Sequence, residues 1–182
     1  MYRHARYAFA LAVVTVLTGC PQSGSIQLQA APTKPAYTHG EPVSVVVTLT
    51  NKTGATAGLS TVDEGNVDVQ SATRDGAPLA GHATTVKYDD DLRSILQATV
   101  TGVAAGAAAT ITWTSAVDPA QGAQALRSIR VDQFGRGAAT FYPVGTPGRY
   151  RFTFVYHYAG FQPATGAFQG TVGPATVDFT VT

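Results

Sequence analysis

The segment Gly148-Arg149-Tyr150-Arg151-Phe152-Thr153-Phe154-Val155-Tyr156-His157-Tyr158 alternates without a break. Tyr150, Phe152, Phe154, Tyr156 and Tyr158 share one face, and Arg149, Arg151, Thr153, Val155 and His157 share the other. A period of two over this length is a β-strand with one buried face. Each buried aromatic removes about 150–250 Å² from water, and no other segment concentrates so much apolar area. Covering that face requires a second layer, so this segment is expected to be the central strand of a packed β structure.

Other segments supply the cover. Val43 to Asn51 sets Val43, Val45, Val47 and Leu49 against Ser44, Thr48 and Thr50, and is rich in β-branched residues. Asn51-Lys52-Thr53-Gly54 follows as its turn. Ser25 to Ala31 reads as an edge strand, and Pro32, Pro35 and Pro42 break the connection after it. Asn66 to Ala72 and Pro78 to Lys87 are expected to pair as a hairpin around Arg74-Asp75-Gly76, because Asp-Gly suits a tight turn. Ile95 to Val103 is expected as a strand. Thr110 to Thr114 is another, with Ile111 and Trp113 inward and Trp113 in the core. Ala120 to Ser128 is the one place for a short helical turn, before Ile129 and Val131 resume a strand that ends at Gln133-Phe134-Gly135. Ala138 to Val144 pairs or bends. The last strand, Thr176 to Thr182, directs Val177, Phe179 and Val181 inward. Some nine short strands without a long helix make an all-β chain, an antiparallel β-sandwich.

Two stretches resemble a known family. An N-terminal strand, a Gly/Pro bend and a Val/Thr strand ending in Asn51 resemble the opening of bacterial immunoglobulin-like domains. Gly148-Arg149-Tyr150 resembles the tyrosine corner of immunoglobulin-like sandwiches, in which the phenol bonds backbone just upstream. Phe152 stands where antibody domains carry a cysteine, so the likeness does not extend to antibodies. The resemblance implies a single immunoglobulin-like β-sandwich domain over residues 25–182.

The amino terminus carries an address. Arg3 and Arg6 precede the uncharged run Tyr7 to Leu17, eleven residues long. A bilayer-spanning helix needs about 20 residues, so the run reads as the apolar region of a signal peptide over residues 1–19. Leu17-Thr18-Gly19-Cys20 resembles the lipobox of bacterial lipoproteins. That resemblance implies cleavage before Cys20, acyl chains on its sulfur and new amino terminus, and a short tether over residues 20–24. Pro21 replaces the aspartate that often retains such proteins at the inner membrane, which points to the periplasmic face of an outer membrane. Cys20 is the only cysteine, so no disulfide within the chain competes with lipidation. Several acyl chains, at about 0.8 kcal/mol per buried methylene, hold a protein on a membrane. Loss of Arg3 and Arg6 leaves ten basic side chains facing eleven acidic ones. A formal charge of −1 offers no basic field to nucleic acid.

Catalytic signatures are sparse. His39, His82 and His157 lack metal-ligand spacing, no Gly-x-Ser-x-Gly or phosphate loop occurs, and Cys20 is committed to the anchor. No enzyme activity and no cofactor is expected. Two oxygen-rich stretches, Asp89-Asp90-Asp91 and Asp63-Glu64-Gly65-Asn66-Val67-Asp68, are weak calcium candidates, or solvated turns that keep edges apart. The connection over 159–174 is long for a hairpin and repeats Phe161-Gln162-Pro163 as Phe168-Gln169-Gly170. Phe161, Gln162, Phe168 and Gln169 are its candidate binding residues. Its phenylalanines either form an exposed patch for a protein or glycan partner, or fold back to plug the sandwich end. These features suggest an envelope lipoprotein with a non-catalytic binding or assembly module and no nucleic-acid partner. The alternatives are an envelope protease inhibitor, an unrecognised hydrolase or a structural spacer.

Overall fold

The structure is a computed structural model and describes residues 25–86, 96–131, 137–158 and 167–182. The expected signal peptide, Cys20, the Asp89-Asp90-Asp91 run, the strand end near Gly135 and the Phe161-Gln162 pair lie outside these residues. The described chain is almost entirely β and forms an antiparallel β-sandwich. One layer contains β1 (Ile26–Pro32), β3 (Ser44–Asn51) and β9 (Ala108–Thr114), in the order β1-β3-β9. The facing layer orders β2 (Ala36–Tyr37), β14 (Thr171–Val181), β13 (Gly148–His157), β5 (Val67–Arg74) and β6 (Ala77–Pro78) as β2-β14-β13-β5-β6. All neighbours are antiparallel except β2, which runs parallel to β14.

The aromatic strand β13 is the centre of its layer, between β14 and β5. Tyr150, Phe152, Phe154 and Tyr156 are each at most 1 % exposed. They meet Val45, Val47, Leu49, Ile111 and Trp113 of the opposite layer in one continuous core. Trp113 makes edge contacts with Phe152 and Phe154 at centroid distances of 5.9 and 5.4 Å, and Phe179 stacks on Tyr150 at 5.3 Å. Such pairs add to burial because the positive ring edge meets the negative face.

A third sheet closes one side. β9 continues through Ser115 into β10 (Ala116–Val117), which pairs with β11 (Gln124–Val131). β11 pairs with β12 (Gly137–Pro143), and β12 with β7 (His82–Val86). The indole Nε1–H of Trp113 donates to the Arg127 carbonyl at 2.9 Å, tying β11 to the first layer. Ser128 ties it to the second: its Oγ accepts the Val69 N–H at 3.3 Å. Ala125, Ile129, Ala139 and Phe141 form a separate small core on this sheet. A ribbon of β4 (Ala57–Ser60) and β8 (Val100–Val103) caps one end of the sandwich.

Five expectations change. Asp75 and Gly76 do turn a two-residue hairpin with positive φ at both (52° and 82°), as that turn requires, but only Ala77–Pro78 returns along β5. His82–Val86 instead crosses to pair with β12. Residues 96–98 form a helical turn rather than the first half of a strand, and β8 begins at Val100. The expected helical turn over Ala120 to Ser128 is a tight turn followed by strand from Gln124. The final strand starts at Thr171, so the connection after Tyr158 carries strand of its own. Fourteen strands among the described residues exceed the nine expected, since several are two-residue pairings.

Candidate functional site

The two ends of the sandwich differ. At one end β1 begins, and the Ser25 carbonyl accepts the Lys52 N–H at 3.0 Å. Asn51 is fully buried there and saturated. Its amide donates to the Ala55 and Val103 carbonyls, both at 2.8 Å, and its Oδ1 accepts the Thr53 N–H at 2.9 Å. β13 ends on the same side. The Tyr156 hydroxyl accepts the Ser60 N–H at 3.0 Å and donates to the Ser60 carbonyl at 3.2 Å, and burial pushes its pKa up to about 12. The Tyr158 hydroxyl is buried without a partner among the described residues.

Phe168 sits at this end. Its N–H donates to the Gly58 carbonyl at 2.8 Å, and Ala167 bridges Gly58 in parallel, so this limb adds to the β4–β8 ribbon. The Phe168 ring is half-buried against the main core. It lies where a side chain at position 170 would stand, 3.1 Å from a Cβ there. Glycine is needed at that position, the more so because its φ is +149°. Gln169 is exposed. The structure thus separates the members of the Phe-Gln repeat that it describes: the ring turns in and the amide faces water.

The acidic stretch around residue 64 is engaged in ion pairs. Glu64 Oε1 takes an Arg127 guanidinium N–H at 2.5 Å, and Asp63 is buried enough that its carboxyl titrates above the usual range. Asp68, 9 % exposed, accepts Arg130 Nε at 3.0 Å on Oδ1 and Arg130 Nη2 at 2.9 Å on Oδ2. Ser128 Oγ lies 3.3 Å from Oδ1 and donates to it. His157 and Tyr142 flank this node. Burial lowers the imidazole pKa, with Asp68 opposing and Arg130 reinforcing, and burial raises the phenol. Perturbed groups of this kind mark active sites when one remains free to react. Here both carboxylate oxygens are taken up by a guanidinium fork, so the node fastens β11 to β5. Among the described residues no three His, Cys, Asp or Glu side chains are placed to hold a metal, and His39, His82 and His157 stay apart.

The opposite end carries a cleft of about 360 Å³, within the usual range for ligand pockets. The His39 N–H donates to the Thr182 carbonyl at 2.8 Å, and the Tyr150 hydroxyl donates to the Thr146 carbonyl at 2.6 Å, the arrangement a tyrosine corner requires. His39 Nδ1–H donates to the Gly145 carbonyl across the cleft mouth. The facing wall is the β10–β11 hairpin, whose turn is held by Asp118: its Oδ1 accepts the Ala120 N–H at 2.8 Å. His82 Nδ1 comes within 3.5 Å of the other Asp118 oxygen, with no hydrogen-bonding geometry. Val117 on β10 is 55 % exposed, the one large apolar side chain exposed among the described residues. Sequence reasoning missed this cleft because its walls come from residues 39–40, 117–124 and 143–146, which no local pattern links. No protein-family model, curated protein or solved structure matches this chain.

Proposed function

We propose that the chain is a lipid-anchored protein of the cell envelope, held through acyl chains on Cys20 at the periplasmic face of an outer membrane. Its immunoglobulin-like sandwich serves as a non-catalytic binding or assembly module for a protein or glycan of the envelope. The observation that carries this reading is polarity: Ser25, five residues from Cys20, lies at one end of the sandwich, and the cleft with exposed Val117 lies at the other. A tether at one pole leaves the other free to meet a partner. The parallel β2–β14 pairing and the Tyr150–Thr146 bond favour the immunoglobulin-like assignment. The saturated Asp68 node favours binding over hydrolysis.

Metabolic labelling with a palmitate analogue, followed by membrane fractionation, tests the anchor. The chain should take up label and sediment with outer-membrane vesicles, while Cys20→Ala should lose both. An unlabelled wild-type chain in the soluble periplasmic fraction overturns the proposal.

A further inference from the structure

One strand edge at the free pole is left open by the described residues. Ser115 N–H donates to the Val43 carbonyl at 2.7 Å, continuing the β3–β9 ladder to its last rung. Continuing that register, the residue opposite Val117 is Glu41, and its N–H turns back to the Thr38 carbonyl at 2.9 Å. Among the described residues, no backbone group takes up the lane beside β10. On its other side β10 pairs with β11 in the register Ala116↔Ala125 and Val117↔Gln124. Asp118 N–H donates to the Ala123 carbonyl at 2.8 Å, so 118/123 is a hydrogen-bonded pair and 117/124 is the intervening pair whose groups point outward. Gln124 agrees, since its carbonyl accepts the Val144 N–H at 2.8 Å on the far edge. By the same alternation the N–H and C=O of Val117 face that lane, beside the exposed Val117 side chain and above the cleft.

We propose that this lane binds an extended, uncharged peptide segment of a partner polypeptide, which adds as a short strand to β10 and sets one side chain into the cleft. The lining holds no Asp, Glu, Lys or Arg, so a charged side chain would lose hydration there without a counterion. Donors and acceptors for a neutral segment are present. Gln124 Oε1 accepts the Ser115 hydroxyl at 2.9 Å, and among the described residues neither its amide N–H groups nor His39 Nε2 has a partner. Strand addition draws affinity from main-chain bonds and selectivity from the pocket beneath. The inference deepens the binding-module reading and rests on it.

The test uses valine-methyl NMR spectra of the full chain in detergent micelles, titrated with the blocked tetrapeptide acetyl-Thr-Val-Thr-Val-amide. The Val117 methyls should shift saturably while those of Val46, on the outer face of the other layer, stay still. The same peptide N-methylated at its central residues should bind at least about tenfold more weakly, because the main-chain bonds to Val117 are lost. Val117→Asp should weaken the unmodified peptide with the fold intact. Absence of a saturable shift overturns the proposal, and so does equal binding of the N-methylated peptide. Equivalent shifts produced by chitotriose, or by raising the protein concentration alone, assign the edge to a glycan or a second copy and also overturn it. None of these readouts depends on acylation, so loss of the lipid-anchor reading registers separately, in the labelling experiment.

Discussion

At the scale of single residues, two buried polar side chains of the main sandwich are fully engaged. Asn51 spends donors and acceptor on two loops, and Asp68 is gripped by a guanidinium and a hydroxyl. Burial at His157 has a measurable consequence of another kind. Burial holds its imidazole below the usual pKa of 6.5, so the folded chain binds a proton there less readily than the unfolded chain does. When the unfolded state binds more protons, stability rises with pH, and it declines as pH falls through the unfolded value toward the depressed folded one. Denaturant unfolding at pH 7 and pH 5 should therefore show wild type losing more stability than His157→Gln between the two. Comparing the two proteins cancels the carboxylates they share, including Asp178, whose pKa Arg151 lowers, and Asp63, whose pKa burial raises. Identical pH slopes would show that the imidazole does not carry the effect.

At the scale of elements, the third sheet is joined to the sandwich by few bonds, and those bonds should be sensitive. Ser128 accepts the Val69 N–H beside the bulge where β5 slips register against β13, and donates toward Asp68. Ser128→Ala leaves a buried N–H unpaired and should lower the unfolding free energy by about 1–3 kcal/mol. Amide exchange should accelerate at Val69 and stay unchanged at Val47, deep in the other layer. These links also show what a sequence can reveal about such a fold. β13 and β3 were legible because their alternation reports a buried face directly, and the inward set of Val43, Val45, Val47 and Leu49 is fully buried. Trp113 was likewise placed in the core. The extension of β14 back to Thr171 was hidden because Gly173-Pro174 reads as a strand breaker. Leu96 and Ala98 fit a strand pattern as well as a helical turn, and a run that short does not separate the two. The partner of His82–Val86 was beyond reach for another reason: a local turn signal fixes the turn, while pairing depends on which edge remains open. The Ser128–Asp68–Arg130 node joins residues sixty or so apart, and no spacing announces it.

At the scale of the whole molecule, the strands convert sequence order into distance from the tether. β13 spans ten residues, and at about 3.3–3.4 Å per residue it separates the poles by roughly 33 Å. The five residues from Cys20 to Gly24 reach at most about 18 Å when fully extended. In the anchored form proposed above, the end holding Ser25, Lys52 and Thr53 therefore lies near the headgroups, and Val117 lies beyond energy-transfer range of a short-range acceptor. The Phe168 ring is half-buried at the near pole, and the β10 edge with exposed Val117 lies at the far one. Donor fluorophores on cysteines introduced one at a time at Thr53 and Val117, in an acylated chain carried on nanodiscs with acceptor-labelled lipid, give the comparison. The Thr53 site should transfer strongly and the Val117 site weakly. Equal transfer from both would mean that the sandwich lies flat on the membrane, with the β10 lane no longer directed toward a partner across the envelope.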